Sequence, residues 1–559
     1  MSTPAEDTTA PAVANVHVGD LAATSDLERI EAPVTWKAYL MCAFAAIGGI
    51  FYGYDTGYIG NVNAMDVWVH AIEGPDATSL GSSHQSLIVS IMSVGTFLGA
   101  LAAGDLADNM GRKWTVILAC GIYAIGVVIE IITGLGDAYA EIVIGRLIAG
   151  IGTGLESATV VLYMSEICPR KVRGALVAGY QFCITIGLLA AACITYKTAD
   201  WDSANSYRLP IGLQFIWAAI LGGGIVFLPD SPRFFVKRGH LSKARRALSQ
   251  LRGQPEQSEY VEYELAEIVA NEEYEKALIP DTTWFGTWAA CFKGSLWTSN
   301  SNLRKTILGT SLQMMQQWTG VNFIFYYGTP FFKSTGAVTN EFLMSVVFNI
   351  VNTLATPFAF WAVEKWGRRP LLLWGALSML ICQLIVATVG VTVGFNHTHP
   401  DASVVGGTAA DNTPAVNAQI AFIAIFIFSF ATTWGPGAWI VIGEIFPLPI
   451  RSRGIALSTA SNWLWNCIIA VITPYMVDAL VSSVFYVWFG LCTCAFVYTY
   501  FLVPETKGLT LEQVDLMMEE ATPRTSAKWR PTKTFASGIA HGEKSTFVNN
   551  ETVPQEVPV

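Results

Sequence analysis

Twelve apolar runs, each about 20 residues long, set the terms for the rest of this sequence. They lie at about 37–60, 86–106, 114–134, 140–164, 174–195, 208–228, 305–332, 342–363, 370–394, 417–446, 453–477 and 483–503. A run of that length crosses the hydrocarbon core as a helix, the one single-segment structure that satisfies its own backbone there. Composition agrees: 52% of the 559 residues are hydrophobic and 14% are charged, where soluble domains carry about 25% charge. The chain is therefore predicted to be an all-α membrane protein with twelve transmembrane helices, numbered here as spans 1 to 12. The formal net charge of −10 sits largely in tails and loops and gives no reason to expect nucleic acid as a partner.

Basic residues in the loops predict the orientation. Loops after spans 2, 4, 8 and 10 hold Arg112, Lys113, Arg170, Lys171, Arg173, Lys365, Arg368, Arg369, Arg451 and Arg453. Loops after the odd-numbered spans hold Lys197, Arg208 and Lys333. Ten against three places the even loops and both termini in the cytoplasm. Residues 1–36 are polar, lack a signal-peptide or transit pattern, and are expected to form a disordered tail. A first bundle over 37–229, a cytoplasmic linker over 230–304 and a second bundle over 305–503 should follow. A cytoplasmic motif and helix over 504–521 and a disordered tail over 522–559 complete the chain. Within the linker, Leu241–Leu251 and Tyr260–Ala277 have helical spacing with abundant charge and predict amphipathic helices, as does Leu511–Glu520. The ten cysteines show no CxxC spacing and are read as free thiols, and no cofactor or metal motif is visible. Asn396 opens an Asn-His-Thr sequon in the loop after span 9, outside the membrane in this topology, and is the candidate glycosylation site.

An internal repeat divides the spans into two sets of six. Glu166-Ile167-Cys168-Pro169 with Arg173 returns 278 residues later as Glu444-Ile445-Phe446-Pro447 with Arg451. Gly111-Arg112-Lys113 is echoed by Gly367-Arg368-Arg369. Matching motifs at matching loops imply two pseudo-symmetric six-helix bundles, with a site at mid-membrane between them. Gln313–Tyr327, reading QMMQQWTGVNFIFYY, opens the second half and faces that cleft. Gln313, Gln316 and Gln317 share one helical face. Amides are costly in hydrocarbon and give as well as take hydrogen bonds, which suits a neutral polyol. The competing reading of such residues is hydrogen bonding between packed helices.

The motifs in combination resemble those of sugar porters of the major facilitator superfamily, above all the fungal hexose and monosaccharide transporters. The resemblance runs from about Lys37 to Leu511 and rests on Gly104–Lys113, Glu364–Arg369, Pro229-Asp230-Ser231-Pro232-Arg233 and Pro504-Glu505-Thr506-Lys507-Gly508. Asp230 stands where the family usually has glutamate. The resemblance implies the major facilitator fold and a set of sugar contacts: Gln181, Gln316, Gln317, Asn322, Asn352, Trp439, Asn462, Trp463 and Asn466. Tyr326 and Tyr327 match its outer gate. In span 10, Thr432–Gly437 replaces the family's glutamate or longer proline-rich break. Amides would meet the sugar hydroxyls, and an indole would cover a C–H face of the ring.

Asp55 in span 1 is an intramembrane acid with Arg146 of span 4 as its expected partner. A pair that forms and breaks would take up and release a proton; a static salt bridge between the spans is the alternative. Glu130 and Glu156 depart from the family pattern, which has an apolar or amide residue there. A second proton site, a hydrogen-bonding acid and a contact to span 2 all stay open for them. Asp108, Arg112, Glu166 and Arg173, with Glu364, Arg368, Glu444 and Arg451, put opposite charges at cytoplasmic helix ends. They are read as a latch that closes the inner side, or simply as topology determinants.

The resulting expectation is a plasma-membrane monosaccharide transporter, monomeric, working on glucose-like hexoses by alternating access with a co-transported proton. A facilitative uniporter, a transporter-like sugar sensor, and a carrier of polyols, sugar acids or disaccharides are the alternatives. No nucleophile–base set points to an enzyme. One tension remains within the stretch: on a straight helix Asn322 lies about 140° from Gln317, so a shared ligand requires the helix to unwind near Gly320.

Overall fold

A computed structural model describes residues 35–134, 136–169, 173–278, 284–298, 301–335, 340–395, 398–400, 408–447, 450–509 and 511–530. Val34–Ala527 forms one compact unit. The second unit, Met1–Pro33 with Lys528–Val559, lies outside the described residues except for 528–530. The expected disordered tails fall largely there. The stretch expected to be disordered from 522 nevertheless begins in order: Ser526 is buried, and its Oγ accepts the Glu505 N–H at 2.8 Å.

Every predicted span is helical. Nine helical stretches among the described residues are long and apolar enough to cross a membrane. The longest, Arg451–Leu502, joins spans 11 (Arg451–Leu480) and 12 (Val484–Leu502). Spans 1 and 7 fall outside that set because each is broken. Span 1 divides into Trp36–Ala46 and Gly48–Val62. Span 7 runs as Asn302–Trp318, a π-helical turn Phe323–Tyr327, and Gly328–Thr335. Outside the helices, Thr398–Pro400 pairs antiparallel with Thr408–Ala410 between spans 9 and 10. Asn396 lies outside the described residues.

The repeat seen in the motifs governs the packing. Span 4 packs on spans 2 and 3 in the first half, as span 10 packs on spans 8 and 9 in the second. Span 5 packs on span 1, as span 11 packs on span 7. The halves meet along two equivalent seams, span 2 with span 11 and span 5 with span 8. Lipid offers helices no hydrophobic drive to associate, so close backbone approach must supply the contact. Spans 1 and 5 achieve it with glycine: a Cβ at Gly53 would lie 2.0 Å from the Ile184 carbonyl oxygen, and one at Gly187 would lie 2.4 Å from that of Ile50.

Each half also closes the end that carries its loop motif with a buried acid. Asp230 Oδ1 accepts the Arg112 and Lys113 N–H groups at 3.0 and 3.3 Å, at the start of span 3. Glu505 accepts those of Arg368 and Arg369 at 3.0 and 3.1 Å, at the start of span 9. An anion at a helix N-terminus satisfies orphan donors and meets the positive end of the dipole. Gly111 and Gly367 precede the two helices with φ of +90° and +91°. Between the halves, Leu241–Arg252 and Glu259–Leu278 form the linker helices, and Arg252 clamps them by donating to both Glu264 oxygens and to the Ile167 carbonyl.

Gly53→Val should cost about 1–3 kcal/mol or more, because the neighbour it meets is backbone and cannot yield by a rotamer change. The expected outcome is a lower melting temperature in detergent, read by size-exclusion fluorescence, while a valine at exposed Gly121, with nothing near its Cβ, leaves it within error.

Candidate functional site

The site is built on the break in span 7. Asn302–Trp318 ends at Thr319, and Gly320 takes φ of +85°, a left-handed conformation that favours glycine. A Cβ there would also lie 2.7 Å from the Trp488 indole. The chain then widens into the π turn, so the angular separation expected of a straight helix disappears. Asn322 donates directly to Gln317 Oε1. Helix unwinding near Gly320 resolves the tension between these two residues.

The amides divide into two groups. Gln316 is fully engaged: its Nε2 donates to the Trp434 and Gly435 carbonyls at 3.0 and 2.9 Å, and its Oε1 accepts from Asn462 Nδ2 at 2.8 Å. Asn462 also donates to Gln313 Oε1 at 2.8 Å. Gln313, Gln316 and Asn462 thus join span 7 to spans 10 and 11 in the manner of interhelical glue. Gln317 accepts from Asn322 and from Asn466 at 3.4 Å, and Asn352 Oδ1 and Asn462 Oδ1 have no protein partner.

These residues surround one cavity of about 60 Å³ between the halves. Gln181, Gln316, Gln317, Asn322, Tyr326, Asn352, Trp439 and Asn462 all line it. Trp463 does not: it is buried beneath, edge-on to Tyr52 at 5.1 Å between ring centroids. Asn466 also lies off the lining and accepts from Ser93 Oγ at 2.8 Å while donating to Tyr326 at 3.3 Å. Tyr327 also lies off the lining and donates to the Ala470 carbonyl at 2.5 Å. Tyr52, Thr56, Ile184, Leu188 and Phe430 line the cavity without having been singled out. Tyr52 and Thr56 were within reach, since they stand one helical turn apart around Asp55. The apolar three carry no chemical signal in sequence.

Of the intramembrane charges, the expected partners Asp55 and Arg146 are the ones that depart from expectation. Asp55 and Arg146 make no ion pair. Asp55 Oδ2 accepts from Thr153 at 3.2 Å, while Arg146 donates to the Ile88 carbonyl, the Tyr58 hydroxyl and Met92 Sδ at 2.8, 2.8 and 3.0 Å. The reason is the level of each group: Thr153 is seven residues from Arg146, about 10 Å along the helix, and Asp55 lies beside Thr153. Glu130 is fully buried and accepts from Tyr58 at 2.7 Å. Glu156 is equally buried, with both oxygens unpartnered, in a notch that a Cβ at Gly48 would fill, 2.1 Å from Oε1.

Residues 41–518 match the family model described as "Sugar (and other) transporter". This chain belongs to that family. A major facilitator-type transporter of Aspergillus rugulosus is 42% identical over 521 residues, 91% of this chain and 92% of the relative. A probable glucose transporter of Neurospora crassa is 40% identical over 498 residues, 86% of this chain and 79% of the relative. In fold the chain is similar to the proton:xylose symporter XylE bound to 6-bromo-6-deoxy-D-glucose, with a TM-score of 0.71 at 24% identity, over 86% of this chain and 99% of that one. The protein is a multi-pass, fungal-type sugar porter with the major facilitator fold.

The porter's loop-motif charges pair within each half. Arg112 meets Glu166 at 2.9 Å and Asp108 at 3.3 Å; Arg368 meets Glu444 at 2.7 Å. Arg451 donates to the Gly443 carbonyl at 3.0 Å, Glu364 is exposed, and the Arg173 side chain lies outside the described residues. An ion pair that does cross between the halves joins Arg453 to Asp105 at 3.7 Å.

Because its amide is spent on the span 10 carbonyls, Gln316→Ala should lower the melting temperature more than Gln317→Ala. Gln317→Ala should instead weaken sugar binding about tenfold or more, the cost of a lost buried hydrogen bond. Tryptophan fluorescence titration with glucose, beside thermal unfolding, separates the two effects.

Proposed function

We propose that this sugar porter carries monosaccharides, namely glucose and related hexoses, across the plasma membrane by alternating access coupled to a proton. It works as a monomer with both termini in the cytoplasm. The observation that carries this reading is the neutral cavity of amides and aromatics at the seam of the two halves, enclosed by contacts on both faces.

On the outer face Thr329 donates to Asn61 at 2.7 Å, Lys333 reaches the Ala64 carbonyl and Asp66 at 2.8 Å each, and Ser82 meets Asp478. On the inner face Ala100, Ala103, Leu155 and Ala158 pack against Ala460 and Trp463, beside the Arg453–Asp105 pair. A cavity of about 60 Å³ has room for a few waters, so a hexose enters only when one face parts. The pairs Arg112–Glu166 and Arg368–Glu444 each lie within one half and do not form the expected latch between halves; in this reading Asp105–Arg453, which crosses, is the inner latch and breaks when the inner face opens. Gln181, Gln317, Asn322, Asn352 and Trp439 contact the sugar, while Gln316, Asn462, Trp463 and Asn466 hold those contacts in place. Tyr326 and Tyr327 gate the outer side. The names of the glucose transporter of Neurospora and the proton:xylose symporter support hexose cargo and proton coupling. Buried Asp55 supplies a carboxyl able to carry the proton.

The test is a panel of radiolabelled sugars in proteoliposomes, with and without an inward proton gradient. Glucose should accumulate uphill in the wild type, and Asp55→Asn should abolish accumulation. Accumulation that survives Asp55→Asn, or wild-type uptake that only equilibrates, would reject coupling through this residue; the second result identifies a uniporter.

A further inference from the structure

Arg146 needs a counter-charge, and the structure places one other than Asp55 within its reach. The Tyr58 hydroxyl accepts from Arg146 Nη1 at 2.8 Å and donates to Glu130 Oε2 at 2.7 Å. Gln214 of span 6 donates to the same oxygen at 3.4 Å, and is itself met by Tyr123. All of these side chains are buried. Glu130 has been given space: a Cβ at Gly145, the residue before Arg146, would lie 2.6 Å from Glu130 Cγ. Asp55 is left with a Thr153 hydroxyl that it shares with the Ala149 carbonyl, and its Oδ1 has no partner. Two acids thus lie near one guanidinium, and in this conformation the hydrogen-bonded line runs to Glu130.

We propose that Glu130 is a positioning residue of the proton-coupling site, competing with Asp55 for Arg146 through the Tyr58 hydroxyl. This rests on the reading of Asp55 as the proton carrier. When Arg146 is held by Tyr58 and Glu130, Asp55 has no direct ion pair and takes a proton from the connected water phase on a carboxylate oxygen. When Arg146 pairs with Asp55 instead, that proton leaves to the other phase and Tyr58–Glu130 is released. One proton binds and one departs per cycle, and no bond between heavy atoms changes. Tyr58 suits the relay because one hydroxyl both accepts from the guanidinium and donates to the carboxylate. The groups facing Glu130 are Tyr58 and Asp55 from span 1, Tyr123 on its own helix, Arg146 from span 4 and neutral Gln214 from span 6.

The discriminating measurement is uptake of radiolabelled glucose into proteoliposomes as a function of external pH, compared in the same vesicles with glucose counterflow, which requires no net proton movement. Glu130→Gln and Tyr58→Phe should each release Arg146 to Asp55. The pH of half-maximal uptake then moves about one unit toward acid, and the ratio of proton-driven uptake to counterflow falls about tenfold. The double variant should be no worse than either single, since both break one line. A pH profile that stays on the wild-type curve in both variants overturns the inference, as does a proportional fall of uptake and counterflow, which a purely structural role would give. Should Glu130→Gln fail to fold, Tyr58→Phe decides alone. Wild-type protein that shows no uphill accumulation removes the coupling reading and this inference with it, whereas normal wild-type coupling with unshifted variants removes the inference alone.

Discussion

A buried amide in the membrane must have partners, and Gln316 finds them on the backbone of span 10 and on Asn462 of span 11. Span 10 breaks at Thr433, with φ of −127° and ψ of −77°, between Thr413–Thr432 and Trp434–Ile445. The break takes the usual N–H donors from the last carbonyls of the first segment, and the Thr433 hydroxyl donates to that of Ser429 at 2.6 Å. Just beyond the break, the Gln316 amide donates to the Trp434 and Gly435 carbonyls, and Asn462 fixes its oxygen. Spans 7, 10 and 11 are therefore one hydrogen-bonded unit, with the cavity along its open edge. A broken helix is affordable here because side chains replace the lost backbone bonds.

Side chains likewise satisfy backbone groups at the motif-bearing ends, twice over. Asp230 and Glu505 stand at equivalent places, each binding two N–H groups at the start of a helix whose first residue is an arginine paired to an acid of the same half. Thr506 reinforces the second cluster by donating to Glu444 at 2.6 Å. Each half is thus fastened internally as a rigid body. Between the halves the contacts named among the described residues are small side chains, single hydrogen bonds and the ion pairs Arg453–Asp105 and Lys333–Asp66. That division of strength is compatible with the proposed rocking of one half against the other about a midplane site.

The spans were legible because a bilayer demands continuous apolar length, and the two halves were legible because charged motifs at loops repeat in order. Most of the cavity lining was legible too, since buried amides such as Gln317 and Asn352 announce themselves against apolar neighbours. Trp463 and Asn466 were not separable from the lining residues, because helical spacing places them on a face without saying how deep that face lies. Leu188 and Phe430 left no trace, as apolar walls look like any core position.

By itself the sequence determined a twelve-span membrane protein in two related halves with a polar seam, because hydrophobic length and motif repetition are one-dimensional quantities. The tertiary structure decided which polar groups meet. It spent Gln316 on span 10 rather than leaving it free, set Asp55 at the level of Thr153 rather than of Arg146, and joined Arg146 to Glu130 through Tyr58. Those pairings depend on the relative heights of helices from distant parts of the chain, which packing fixes through contacts such as Gly53 against Ile184 and Gly145 against Glu130.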